Sequence, residues 1–418
     1  MKPMISLPLD IPDIKVLQTK INRAGDIVIT VESTVKGTKC RQCGGKIDKP
    51  HGHDKWIELQ HLPILGRRSY LRLRPKRYRC LSCDNKPTTT QQLEWYQPRC
   101  STTKAFEEHM LLQLVNSTIE DASRKEAVGY DTVVGIIERH IRQRVNWDEF
   151  KTLDVLGIDE IALCKGRQNY VAIITARPAN GKVGLLAVLP DRKKATVKQF
   201  LRTIPRQLRA TIDTVCTDMW DGYVNAVREV LGSQVTIVVD RYHVAQSYRQ
   251  GVDKLRQREC KRLKKELPEA EYKQLKGVMW AFRKNQRDLA QTEKELLARL
   301  FANAPTLQRA YELREELTNI FELPLTRAEA KLKIEAWQQK VEASPLTCFN
   351  RFLTTLNNWF PEILNYFCRR LNSGFVEGFN NKIKTLKRRC YGIFDVSHLF
   401  QRLYLDLAGY RLYAHPYF

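Results

Sequence analysis

Leu153-Asp154-Val155-Leu156-Gly157-Ile158-Asp159-Glu160 is an apolar run that ends on carboxylates, and Thr214-Val215-Cys216-Thr217-Asp218-Met219-Trp220 uses the same device further along. Short β-branched runs bounded by turn residues read as buried strands. Around these two, the runs Leu153 to Ile158, Tyr170 to Thr175, Gly184 to Leu189, Thr214 to Cys216 and Val235 to Val239 alternate with helix-like segments near 195–209 and 220–231. The order is βββαβαβ, an α/β arrangement of the ribonuclease-H-like kind. Asp159 and Asp218 then close the first and fourth strands at their carboxyl ends, the edge at which α/β sheets assemble their sites. If those strands are neighbours, the two carboxylates come within reach of a shared metal. Glu160 competes with Asp159, but successive strand side chains face opposite ways, so only one of them can join Asp218.

Beyond this block the texture changes. From 244 to 370 glycine and strand signals nearly vanish and Lys, Arg, Glu, Leu, Gln and Ala dominate, as in Lys261-Arg262-Leu263-Lys264-Lys265-Glu266-Leu267. This reads as a helical insertion, and its mixed charges suit a solvated helical face. The segment Asn372-Ser373-Gly374-Phe375-Val376-Glu377-Gly378-Phe379-Asn380-Asn381-Lys382-Ile383-Lys384 follows. A helix starting near Ser373 puts Glu377, Asn381, Lys384 and Arg388 at i, i+4, i+7 and i+11, on one face. Such a face suits a carboxylate that holds a metal while cations grip a phosphate backbone. A Lys-rich exposed helix has the same spacing. Asp240 and His243, just past the last strand, have two readings: support for the site, or a strand-end cap with a half-buried histidine bonded to backbone.

Before the α/β block, Asp26 to Glu32 and Tyr70 to Arg74 read as strands, and Cys40-Arg41-Gln42-Cys43 and Cys80-Leu81-Ser82-Cys83 are two knuckles that can aim four thiolates at one tetrahedral zinc. His51, His53 and His61 lie between them as alternative ligands. From Thr103 to Arg144 the pattern is helical, with Ser117-Thr118-Ile119-Glu120 as a capping box, Val128-Gly129-Tyr130 as a turn and Asp131 capping a second helix. That helix would carry Val134, Ile137 and Ile141 inward and Arg139, Arg142 and Arg144 outward, the outline of a helix-turn-helix DNA reader. Any small helical pair shares this outline.

The 418 residues hold 70 Lys plus Arg against 46 Asp plus Glu, a formal charge of +24, with 43% apolar and 28% charged residues. This composition builds cores and excludes a wholly disordered chain. No apolar run reaches membrane-spanning length and no signal-peptide pattern opens the chain, so a cytoplasmic location is expected. The eleven cysteines, four of them in the knuckles, point to metal and not to disulfides in such a compartment. The positive surplus favours a polyanionic partner, nucleic acid being the commonest.

The zinc knuckles, the helix-turn-helix, Gly157-Ile158-Asp159-Glu160, Thr217-Asp218-Met219, Asp240-Arg241-Tyr242-His243-Val244, Glu377 to Lys384 and the trailing Arg388-Arg389-Cys390-Tyr391-Gly392 together resemble bacterial insertion-sequence transposases of the ISL-three family. The resemblance covers nearly the whole chain in order. It implies a DDE transposase with Asp159, Asp218 and Glu377 as the triad, holding two magnesium ions, and Asp240 and His243 matching an Asp-x-x-His element. The expected organisation is a zinc ribbon over 1–100, a helix-turn-helix over 101–150, a ribonuclease-H-like core over 151–243, an all-helical insertion over 244–370 and the last core segment over 371–418. Cys40, Cys43, Cys80 and Cys83 would hold one structural zinc. Double-stranded DNA would be gripped through Lys382, Lys384, Lys387, Arg388 and Arg389, with a homodimer on paired element ends. Two rivals stay open: a non-catalytic DNA-binding regulator or inactivated transposase, and a structure-specific nuclease of ribonuclease-H-like fold.

Overall fold

The computed structural model describes residues 8–162, 170–179, 181–371, 374–393 and 395–414, with side chains in the helix that starts at Gly374 described from Gly378 on. They form two compact units, one of residues up to Gln143 together with those from Gln401, the other Arg144–Phe400.

In the first unit, β1 (Ile14–Ile21) and β2 (Ile27–Ser33) form a hairpin; β3 (Thr38–Lys39), β4 (Lys46–Ile47) and β5 (Lys49–His53) follow; then come β6 (Ile57–Ile64), β7 (Arg67–Leu73), β8 (Lys76–Arg79) and β9 (Thr88–Thr90). The main sheet has the order β1-β2-β7-β6, while β3-β4 and β5-β8-β9 make two small sheets that carry the cysteine knuckles. Alternation in β7 buries Leu71 and Leu73 against Ile29, Val31 and Leu59, as a half-buried strand should.

Three helices follow: α1 (Lys104–Leu114), α2 (Ile119–Glu126) and α3 (Tyr130–His140). Thr103 caps α1 by accepting from the Phe106 N–H. The cap of α2 is Thr118, bonded to the Asp121 N–H, one residue later than the expected Ser117–Glu120 box. Gly129 and not Asp131 stands at the α3 cap, because Ala127 turns the chain through the left-handed region at φ 51° and α3 starts at once. Val133, Ile136 and Ile137 are its buried positions; Val134 is only half-buried. Leu405, in the helix Val396–Tyr413, completes the packing of these helices. A Cβ at Gly409 would lie 2.4 Å from a Val115 methyl, so the helices can meet there only without a side chain. The expected last core segment is thus divided, residues to Phe400 lying in the second unit and those from Gln401 in the first.

The second unit is built on a five-stranded sheet of β10 (Val155–Ala162), β11 (Tyr170–Arg177), β12 (Gly184–Leu189), β13 (Thr214–Thr217) and β14 (Thr236–Val239), with the order β12-β11-β10-β13-β14. The first three are antiparallel neighbours; β13 and β14 run parallel to β10. The first strand does not stop at Ile158 as expected. Its antiparallel partner β11 continues, so β10 runs on to Ala162 while pairing with β13 ends at Ile158–Thr217. The helix expected near 195–209 is two, α4 (Lys194–Thr203) and α5 (Arg206–Arg209), because Pro205 cannot continue a helical ladder.

Register decides which face carries chemistry. Leu156, Ile158 and Val215 pack with Val197 and Leu201 of α4 and with Tyr223 and Val227 of α6 (Asp221–Leu231). Val155, Cys216 and Val238 face the other way, into the core shared with α7 (Arg241–Glu266) and the helices that follow it. By strand alternation Asp159 and Asp218 belong to this second face and Glu160 to the first. The helical insertion is centred on Tyr248, Phe282, Tyr311, Trp337, Phe349 and Phe352, and Trp337 Nε1 donates to the Leu313 carbonyl at 2.8 Å.

Candidate active site and metal centre

The carboxylates gather where the parallel part of the sheet ends. Asp159 is the first residue of β10 beyond the β13 ladder; its Oδ1 accepts from the Glu160 N–H at 2.6 Å, and its Oδ2 accepts from the Asn380 side-chain amide. Asp218 follows β13 in a tight turn closed by Trp220 N–H on its carbonyl at 2.8 Å. Asp240 follows β14, where its N–H donates to Thr217 O at 3.0 Å and its side chain caps α7 through the Tyr242 N–H at 2.8 Å. One turn into α7, His243 places Nε2 3.1 Å from Asp218 Oδ1 and 4.0 Å from Asp240 Oδ2. Asp240 is thus a helix cap, as expected of a strand end, while His243 turns to the carboxylates and not to backbone.

Asp218, Asp240 and His243 each offer a ligand atom, all within 4.8 Å of one another. Burial raises the pKa of Asp218, the nearby Asp159 charge raises it further, and His243 only partly offsets them, so it is pushed up to about 7. Burial also raises Asp159, against the Glu160 N–H and Asn380 bonds that favour its charged form. A half-buried cluster of carboxylates with one histidine beside it is short of cations among the described residues, and hard oxygen ligands in that state suit a divalent ion. Asn380 adds a buried side-chain oxygen with no bonding partner among the described residues, close to Asp159.

Glu160 sits on the other face, its carboxylate 3.0 Å from Arg192, whose guanidinium lies 4.9 Å from the ring centroids of both Tyr170 and Trp220. It is tied to structure and does not join Asp218. Glu377 occupies the helix Gly374–Arg389 three residues before Asn380; its side chain is outside the described residues. Asn380 carries no role that the sequence alone signals, although its i+3 spacing from Glu377 makes it a neighbour on the same helix.

The basic residues separate. In the second unit Lys384 and Arg388 are exposed, Lys382 is half-buried, and Lys387 donates to the Ala162 carbonyl at 2.5 Å, which ties it to β10. In the first unit Arg139 is bound to buried Glu107 at 2.6 Å. Arg142, still in the first unit, and Arg144, the first residue of the second, are exposed but lie beyond the end of α3 at His140, not on the helix as expected.

The four knuckle cysteines converge. Sγ separations are 3.9 Å for Cys40–Cys83, 3.8 Å for Cys43–Cys80 and 3.6 Å for Cys80–Cys83. Four sulfurs each about 2.3 Å from a tetrahedral zinc are about 3.8 Å apart, so this set already has the right edge length. Backbone N–H groups of Cys43 and Gln42 hold the Cys40 thiol down to about 6, ready to lose its proton. No histidine belongs to this set among the described residues; buried His61 instead places Nδ1 3.0 Å from Thr103 Oγ1.

Sequence families fit this geometry. A family model described as a transposase matches residues 156–403, which span the sheet, the insertion and the Gly374–Arg389 helix. The class is therefore transposase. A second model, the helix-turn-helix domain of transposase family ISL3, matches residues 91–141, and the chain belongs to that family. It is 27% identical over 385 residues to the transposase for insertion sequence element IS1001 of Bordetella parapertussis, covering 91% of each chain. To the transposase for IS1557 of Mycobacterium tuberculosis it is 23% identical, covering 89% of this chain and 86% of that one. Among solved structures, the Drosophila P element transposase strand transfer complex aligns with a TM-score of 0.40 and 11% identity, over 75% of this chain and 93% of that one. No helix among the described residues is long and apolar enough to cross a membrane.

Proposed function

We propose that the chain is a DDE transposase, which binds the terminal inverted repeats of its insertion sequence and performs divalent-metal-dependent DNA cleavage and strand transfer in a ribonuclease-H-like core. The observation that carries this reading is the bond from Asn380 to Asp159. It fastens the Gly374–Arg389 helix to the sheet at the level of the carboxylates, and Glu377 stands one helical turn earlier in that helix, which supports its assignment as the third member. The strand order β12-β11-β10-β13-β14, with three antiparallel and two parallel members, supports the same core.

In this reading Asp159, Asp218 and Glu377 hold two magnesium ions. Bound there, the ions would supply a nucleophile at neutral pH and neutralise the leaving oxygen. The protein's part is orientation. The Glu160 N–H and Asn380 fix the Asp159 carboxylate, and His243 fixes that of Asp218, with Asp240 anchoring the start of α7 so that His243 keeps its place. Water first breaks a phosphodiester at the element end and leaves a 3′-hydroxyl. That hydroxyl then attacks a target phosphodiester, forming one P–O bond as another breaks.

Cys40, Cys43, Cys80 and Cys83 hold a zinc ion in a closed set with no position for substrate, which makes its role structural. Recognition of element ends belongs to the zinc ribbon and helix-turn-helix, with Arg142 and Arg144 free to approach phosphates, and Lys384 and Arg388 grip DNA near the site. Two copies act on paired ends.

The test incubates the protein and Asp218→Asn with magnesium and DNA carrying the flanks of its own gene, then maps labelled ends. Cuts at a discrete pair of inverted repeats by the wild type alone are expected. Binding without cuts, under manganese as well, would assign a non-catalytic regulator; cutting of branched DNA without regard to sequence would assign a structure-specific nuclease.

A further inference from the structure

At 26 residues α7 is the longest described helix, and its faces differ. Val244, Tyr248, Val252 and Leu255 are buried in the insertion core. Another face, at helical spacing, presents His243, Gln246, Gln250, Lys254, Arg258 and Lys261, without a carboxylate. The helix's three acids, Asp253, Glu259 and Glu266, lie off this stripe, bound to Arg256, Arg283 and Arg262. The stripe floors a groove of about 680 Å³ whose opposite wall includes Cys348 and Arg351. Gly251 sets the width, since a Cβ there would lie 2.1 Å from the Cys348 carbonyl oxygen. Only glycine allows that approach.

Two features define the occupant. First, the groove's cations are not neutralised. Of the five arginines in α7, Arg241, Arg249, Arg256 and Arg262 have Glu322, Asn285, Asp253 and Glu259 as side-chain partners. Arg258 has no carboxylate partner among the described residues, and neither have Lys254, Lys261 or Arg351. Second, the groove starts at His243, the residue that contacts Asp218.

We infer that this groove carries the sugar-phosphate backbone of DNA leading away from the carboxylate site, an assignment that rests on the DNA-processing reading above. From His243 to Lys261 the helix rises about 27 Å, the span of about eight phosphates along one strand of a duplex. Gln246 and Gln250 offer neutral amides nearest the reacting phosphate, and Lys254, Arg258 and Lys261 offer charge at successive turns beyond it.

The test uses the full-length protein in EDTA. Binding of a duplex longer than the groove is measured against salt for the wild type and for Lys254→Gln/Arg258→Gln/Lys261→Gln/Arg351→Gln. The slope of log K against log salt is expected to shrink by about 3 to 4, near 0.9 for each phosphate no longer neutralised. Lys254→Gln alone should remove about 0.9, which keeps the test decisive if the quadruple variant misfolds. Lys273→Gln/Lys276→Gln/Lys294→Gln/Lys331→Gln removes the same charge elsewhere in the insertion and should leave the slope near that of the wild type. An unchanged slope in the groove variants, or an equal drop in this control, overturns the assignment. No cleavage is needed, so the two readings fail separately. A wild type that cuts nothing under magnesium while the groove slope still drops would defeat the chemistry and leave the groove; cutting with an unchanged slope would defeat the groove alone.

Discussion

Glu107 in α1, fully buried, and Asp218 beyond β13, half-buried, are both carboxylates drawn away from bulk water, and the protein treats them oppositely. Burial alone would raise the Glu107 pKa, but His140 and Arg139, each at 2.6 Å, and Thr102 at 2.8 Å outweigh it and hold the group below its ordinary value. Asp218 is raised by burial and by Asp159, with His243 the one basic side chain paired with it among the described residues. A buried charge neutralised from within is architecture, fastening α1 to α3. One left short of cations is held at a cost that an ion from outside can remove.

The cysteine cluster is a third treatment, and it gives the largest expected effect. Four thiols already spaced for one ion should bind it with an apparent free energy of about 10 kcal/mol or more. Cys80→Ser should therefore release zinc and melt the small sheets around the knuckles while Arg144–Phe400 stays folded. Zinc content by mass spectrometry and limited proteolysis report this, and a variant that keeps both zinc and protease resistance would remove the site. Next in size, Asp218→Asn should slow strand cleavage by at least about 1000-fold, over 4 kcal/mol of barrier, with DNA binding retained. Cleavage within tenfold of wild type would place Asp218 with Glu107 among structural carboxylates.

How far these sites are legible in the sequence depends on the distance over which their parts meet. Gly184–Leu189 is legible to the residue, because turn residues bound it on both sides. Asp159 and Asp218 are legible as a pair because strand ends and alternation are local properties, and β10 and β13 are neighbours in the sheet. The end of β10 is not, since it depends on how far β11 accompanies it. Arg139 reads as a DNA contact because its partner Glu107 stands 32 positions earlier, and no helical periodicity links them. The bond from Asn380 to Asp159 spans 221 positions; spacing marks Asn380 as a neighbour of Glu377 but does not show what it touches. Likewise, nothing in the run Gln401 to Tyr413 signals that Leu405 packs with α1 and α3.

Within the first unit, Glu107→Gln keeps shape and removes charge. Breaking a buried pair from one side costs about 3 to 5 kcal/mol when the partner is also buried. Arg139 retains partial access to water, so about 2 to 3 kcal/mol is expected, read from the denaturant midpoint of the first unit. A loss under about 0.5 kcal/mol, the range of ordinary surface changes, would mean that Glu107 is not the fastener.

The smallest effect separates the two carboxylates most sharply, because their pH dependences have opposite signs. For Glu107 the folded pKa is depressed, so its contribution is complete above about 4.5 and is lost as pH falls through the folded value. For Asp218 the folded pKa is raised from 3.8 to about 7, so the native state binds the proton more readily than the unfolded chain does. Metal-free stability should therefore fall as pH rises from about 4 to about 7 and level off above. Asp218→Asn removes that penalty. In EDTA the variant should gain on the wild type across this window, reaching about 1 to 2 kcal/mol at pH 8, less than the full shift because its contact with His243 is weakened too. Magnesium should then stabilise the wild type and not the variant, since only an ion that binds the native state selectively raises its melting temperature. A variant less stable than the wild type at pH 8 without metal would mean that Asp218 is neutralised within the fold, as Glu107 is, and the contrast between the two carboxylates would collapse.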